Sequence, residues 1–100
     1  MMNEIRRILC CCSQGLGSSM IVHMNTERAL EQLNKNIPVE HASLSEVFPN
    51  KFDCLIVGVD LAHQAKRFNK VIVLSDLMDM EELSGKLIKA FSQPDTFFIE

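Results

Sequence analysis

The stretch Cys10-Cys11-Cys12-Ser13-Gln14-Gly15-Leu16-Gly17-Ser18-Ser19-Met20 decides how this chain folds. An apolar run from Ile8 leads into it, Gly15 and Gly17 permit a tight backbone turn, and Ser18-Ser19 offer N-cap hydroxyls just ahead of Met20, Ile21 and Val22. The pattern is a strand, a turn and a helix start, with Cys12 at the strand's end facing a helix N-terminus. Backbone N–H groups of such a turn, together with the unpaired N–H groups of the helix's first turn, form a concave cradle for a phosphate-sized anion. The same field favours a thiolate. Cysteines at helix N-termini have pKa values lowered from about 8.5 to roughly 3.5–7.5, so a cysteine placed here is chemically able to carry a phosphoryl group.

Outward from this stretch the chain alternates strand and helix signals. Ile5 to Cys11 reads as the first strand, and the helix after it should run from Ser18 to Asn34, with Val22, Thr26, Ala29, Leu30 and Leu33 inside. Asn36-Ile37-Pro38 should end it. Val39 to Leu44 is a weaker, partly polar strand suited to a sheet edge, and Ser45 to Phe52 a loop broken by Pro49-Asn50. Cys54 to Val57 is a central strand, after which Asp60 should cap a short helix through Arg67. Val71 to Leu74 is a fourth strand, continuously apolar as expected where both faces of a parallel sheet are covered. Met80, Leu83, Leu87, Ile88 and Phe91 keep helical spacing behind a capping box of Asp79 and Glu82, and Pro94 stops that helix. Residues 96–100 read as an apolar tail.

The order βαβ(loop)βαβα predicts an α/β three-layer sandwich around a four-stranded parallel sheet of order 2-1-3-4. That is the flavodoxin-like arrangement, on the premise that crossovers are right-handed. Ligands in such sheets bind beyond the carboxyl ends of the strands, where strands one and three meet, and the Cys12 loop lies there. One hundred residues, 47% of them hydrophobic, suit a single domain spanning 1–100, with its core at about 5–92 and a tail at 93–100.

A net charge of -3 and scattered basic residues argue against nucleic acid as a partner. The first residues lack a signal-peptide pattern and no run reaches the roughly 20 apolar residues of a membrane span, so a cytoplasmic location without membrane insertion is expected. In that reducing setting four cysteines read as thiols. One cysteine cluster with Cys54 alone elsewhere lacks the spacing of a zinc site, and neither a metal nor another cofactor is expected.

Cys12-Ser13-Gln14-Gly15-Leu16-Gly17-Ser18-Ser19 resembles the phosphocysteine loop of the IIB components of the bacterial phosphoenolpyruvate-dependent sugar phosphotransferase system (PTS), particularly the ascorbate and galactitol-type group. Val39 to Leu44, Asp60-Leu61-Ala62 and Leu77-Met78-Asp79 extend the resemblance over about residues 5–92. It implies a phosphotransferase with the fold just read: a phosphohistidine on a IIA partner passes its phosphoryl group to Cys12, which passes it to a sugar held by the membrane component IIC. By the same resemblance the backbone from Ser13 to Ser18 is the cradle, and the Ser18 and Ser19 hydroxyls donate to phosphoryl oxygens or cap the helix. Cys12 stands three before Gly15 and six before Ser18, which matches the loop; Cys10 and Cys11 fall in the strand and read, like Cys54, as small buried hydrophobes.

The alternative is a low-molecular-weight cysteine phosphatase, which has a similar fold and a cysteine loop ending C-x5-R. Its arginine clamps the phosphoryl oxygens, and this chain has Ser18 there; Asp76 or Asp79 could be nominated as the acid by position alone. His23, His41 and His63 carry bland readings, and Met20 and Met24 read by default as core.

Overall fold

The computed structural model describes residues 5–11, 16–42, 52–93 and 96–100. Strand β1 (Ile8–Cys11) is followed by α1 (Leu16–Gln32), β2 (Val39–Ala42) and β3 (Cys54–Gly58). Two 3-10 turns, Val59–Leu61 and Gln64–Arg67, lead into β4 (Lys70–Leu74), then α2 (Met80–Phe91) and β5 (Phe97–Ile99). The strands form one sheet of order β2-β1-β3-β4-β5, and every neighbouring pair is parallel.

Side chains alternate across the strands, and both faces are covered. On one face Ile8, Cys10, Cys54, Ile56, Ile72 and Leu74 pack with Val22, Ala29 and Leu30 of α1 and Leu83, Leu87 and Ala90 of α2. On the other, Cys11, Leu55, Val57, Val71 and Val73 pack with Leu61, Ala65 and Phe68. Burial on both sides explains the unbroken apolar runs of β3 and β4, as parallel sheets require.

The parallel α/β sheet and its 2-1-3-4 order are as the sequence predicts, but the sheet has a fifth strand. Phe97 to Ile99, read as a tail, pairs with β4, and Phe97 N–H donates to the carbonyl of Asn69 at 2.9 Å. Phe97-Phe98-Ile99 is too short a run to be read as a strand from the sequence. Connections β1-α1-β2 and β4-α2-β5 step in opposite directions along the sheet while α1 and α2 pack on the same face, so the two crossovers have opposite hands. Such connections are right-handed in about 98% of known cases, so one of the two is of the rare kind.

The helices also differ in their bounds. α1 begins at Leu16, not Ser18, and ends at Gln32. Its stop is Asn34, in the left-handed region at φ 59, with Lys35 N–H on the Leu30 carbonyl (2.9 Å) and Asn34 N–H on that of Glu31 (3.1 Å). This Schellman arrangement acts before Pro38 can. Asp60 does not cap a helix: it lies inside the first 3-10 turn, whose cap position is Gly58, a residue with no side chain to accept a bond. Without a cap to offset nucleation, the segment through Arg67 forms two short turns. Asp79 does cap α2, accepting from the N–H groups of Glu81 and Glu82, but Glu82 reaches Ser75 and Asp76 instead of closing a capping box. Ile88, read with the apolar stripe, is exposed.

Candidate functional site

Strand β1 lies between β2 and β3, and the chain leaves it first toward one neighbour and later returns to the other. Its carboxyl end is therefore the topological switch point, where parallel sheets bind ligands because the flanking connections diverge to opposite sides. β1 ends at Cys11. Cys12, Ser13, Gln14 and Gly15, the nucleophile and first half of the cradle expected from the sequence, lie outside the described residues. Leu16, Gly17, Ser18 and Ser19 are the first four residues of α1. The expectation that Ser18-Ser19 cap this helix is corrected, since an N-cap residue has extended backbone angles and these two are already helical. The helix's first turn, with its unpaired N–H groups, thus begins five residues beyond the end of β1.

The other cysteines are all in strands and fully buried: Cys10, Cys11 and Cys54 have 0% exposure. Burial, with the neighbouring Cys10 adding to it, pushes the Cys54 thiol far up, away from thiolate formation. Cys10 Sγ lies 3.7 Å from the hydroxyl of Thr26, a buried polar group of α1. The sequence reading of these three as buried hydrophobes agrees with the structure.

Connections after β3 and β4 flank the same end of the sheet. At Gly58 a Cβ would stand 2.7 Å from Asp60 Oδ1, so the absence of a side chain lets that carboxylate fold back over the strand end. After β4, Glu82 accepts from Ser75 N–H (2.9 Å), Ser75 Oγ–H (2.7 Å) and Asp76 N–H (3.0 Å). Lys86 donates to Glu82 and to the carbonyl of Val73, tying the turn to both helix and strand. Asp76 accepts from Met78 N–H, while Asp79 is the α2 cap. The two aspartates nominated for a phosphatase acid therefore have structural work in the turn.

Met20 and Met24, read as core by default, are about half exposed at 48% and 55%, and Val59 and Met78, in the connections after β3 and β4, are exposed too. One further cluster leaves no mark in the sequence. His23 of α1 and His41 of β2 bring their Nδ1 atoms within 2.7 Å, and His23 Nε2 faces Glu27 Oε2 at 3.4 Å. Eighteen residues separate the two rings, and along the chain each looks isolated. His63 sits at the cap of the second 3-10 turn without a side-chain cap bond.

Among the described residues no cluster of three His, Cys, Asp or Glu is disposed to hold a metal ion, and no helix is long and apolar enough to cross a membrane. A cleft lined by Phe52, Asp53, Arg67, Phe68, Asn69 and Lys70 lies at the amino ends of β3 and β4, opposite the switch point.

Comparison with known proteins agrees with this geometry. The chain is 26% identical over 96 residues to a Mycoplasma pneumoniae protein named ascorbate-specific PTS system EIIB component, covering 89% of this chain and 98% of that one. Its fold matches the lactose-specific IIB component domain of the phosphotransferase system of Streptococcus pneumoniae, with a TM-score of 0.55 and 14% identity over 88% of this chain and 92% of that one. The family model for the PTS system lactose/cellobiose-specific IIB subunit matches residues 7–89. With a parallel sheet whose switch point falls at the end of β1 and a family match over most of its length, the chain belongs to the IIB subunits of the sugar phosphotransferase system.

Proposed function

We propose that this chain is a cytoplasmic phosphoryl carrier whose phosphosite is Cys12, in one functional domain. IIB components are phosphotransferases that work with IIA and IIC partners. For this chain the reading is that a IIA phosphohistidine is the donor and that the acceptor is a sugar, ascorbate- or galactitol-like, bound by the membrane component IIC. The Cys12 thiolate attacks the phosphorus, the S–P bond forms as the P–N bond breaks, and the imidazole keeps the electron pair and takes a proton. A sugar hydroxyl then attacks the same phosphorus, its proton departs, and the thiolate leaves.

The observation that carries this reading is the junction of β1 and α1. Cys12 follows directly on the last residue of the strand flanked by both neighbours, and the first turn of α1 starts four residues later. Every other cysteine is buried in the sheet. Transfer of this kind rests on positioning and electrostatic stabilisation, which backbone N–H groups of residues 13–18 and the hydroxyls of Ser18 and Ser19 can supply without a metal. The exposed side chains of Met20 and Met24, just beyond that first turn, suit contact with a protein donor because methionine adapts to irregular partner surfaces.

Intact-mass measurement after incubation with phosphoenolpyruvate, the general phosphotransferase proteins and the cognate IIA tests it. Wild type should gain one phosphoryl group and Cys12→Ser none, while Cys10→Ser and Cys11→Ser retain acceptance. Equal loss in all three variants, or no gain from a demonstrably phosphorylated IIA, would overturn the assignment.

A further inference from the structure

The imidazoles of His23 and His41 stand apart from the chemistry assigned to Cys12, yet they join the helix that begins at the site to the edge strand beside β1. Their Nδ1 atoms are 2.7 Å apart, their ring centroids 4.8 Å, and the rings meet at 70°. An imidazole nitrogen either donates or accepts, so a contact this short needs one proton between the two nitrogens. With none, two lone pairs oppose; with two, both N–H groups point at each other.

Glu27 Oε2 lies 3.4 Å from His23 Nε2 and favours a proton on that nitrogen. In the neutral pair His23 Nδ1 is then the acceptor and His41 donates from Nδ1.

Among the described residues Glu27 is the charged group in contact with either ring. From β2, Glu40 lies one residue along the strand and so points to the opposite face of the sheet. From β1, Cys10 is the register partner of His41, and its thiol is engaged by Thr26. The charged groups of α2 lie elsewhere: Glu82 and Lys86 are tied to the turn after β4.

We infer that His23 and His41 form a one-proton clamp that positions α1 on β2, so that phosphoryl acceptance weakens when their hydrogen bond is lost. The functional half of this inference rests on the Cys12 reading. His23 lies two helical turns beyond Leu16, so its link to β2 sets where the first turn of α1 stands relative to the end of β1. These are positioning residues. They touch neither phosphorus nor sulfur.

The test uses wild type, His41→Asn, whose amide can bond His23 Nδ1, and His41→Leu, which cannot. Two-bond proton–nitrogen spectra of wild type at about pH 8, above the ordinary imidazole range, should show one of the two rings protonated at Nδ1 and the other at Nε2. Both rings protonated at Nε2 would overturn the clamp. The rate of phosphoryl acceptance should fall about three- to tenfold in His41→Leu, the consequence of losing one hydrogen bond, and stay near wild type in His41→Asn. Equal rates in all three proteins would overturn it.

Urea unfolding separates this failure from that of the carrier reading. His41→Leu should unfold at lower urea than wild type and His41→Asn close to wild type, because only the amide restores the bond. That result, with no phosphoryl gain by any of the three proteins, upholds the clamp and discards the carrier; equal midpoints discard the clamp.

Discussion

Glu82 and Lys86 meet at 2.7 Å across one turn of α2, and the same ammonium donates at 2.6 Å to the carbonyl oxygen of Val73 in β4. The pair fastens the helix to the strand and, through Ser75 and Asp76, shapes the turn between them. Desolvation alone would raise the Glu82 carboxyl. Hydrogen bonds from Lys86, Ser75 and Asp76 prevail and hold it down at about 2, against 4.5 for an ordinary glutamate.

Replacing Glu82 by Gln should therefore destabilise the protein by about 1–3 kcal/mol at neutral pH, since Lys86 loses its counter-charge in a partly buried position. The carboxyl is depressed in the fold, so its contribution is complete above the unfolded value of 4.5 and disappears as pH falls toward about 2. Denaturant titrations at several pH values should show this acid step in wild type and its absence in Glu82→Gln. A Gln variant as stable as wild type at neutral pH would contradict the account.

Phe97 and Ile99 are buried at the end of a strand that sequence alone reads as a tail. Phe97→Ala should cost about 3 kcal/mol, the low end for a buried aromatic because the strand is at an edge. Removing residues 96–100 should cost more and promote association, because β4 would then present an apolar, unpaired edge. Unchanged unfolding midpoints in both proteins would mean that β5 contributes nothing to the sheet.

Thr26 is the buried polar residue of the first core cluster's helix, and its hydroxyl partner is the Cys10 thiol. Because that contact is weak, Thr26→Val, which keeps the volume, should cost under about 1 kcal/mol, whereas Thr26→Ala should cost about 1–2 through the space it leaves. A larger loss for Val than for Ala would show that the hydroxyl, not the packing, matters.

Thiol labelling discriminates among the cysteines without any partner protein. Under native conditions at neutral pH, Cys10, Cys11 and Cys54, each with 0% exposure, should resist a soluble alkylating reagent. Mass spectrometry should find a single fast label in wild type, none in Cys12→Ser, and labelling of the remaining cysteines after unfolding. Rapid native labelling of Cys12→Ser would remove the basis for choosing position 12.

Much of the fold is legible in the order of residues. The runs Cys54 to Val57 and Val71 to Leu74 announce strands buried on both faces, and Asp79 announces the start of α2, because apolar continuity and capping act within a few residues. The bounds of α1 are harder to read. Gly15 and Gly17 mask a helix start at Leu16, and Asn34 ends the helix through a left-handed backbone angle that other residue types rarely adopt. The exposure of Met20 and Met24 is hidden for a different reason: an apolar side chain carries no mark of which helix face stays uncovered.

By itself the sequence determined the parallel α/β sheet and the placing of Cys10 and Cys11 in its first strand, which follow from periodicity, turn residues and spacing, all local. The family was legible as a resemblance in the order of residues, not from those patterns. Only the tertiary structure decided that residues 97–99 join β4, that both helices share one face, and that His23 meets His41. Each of these is a pairing between segments distant in the chain, and its free energy depends on what the completed sheet brings together.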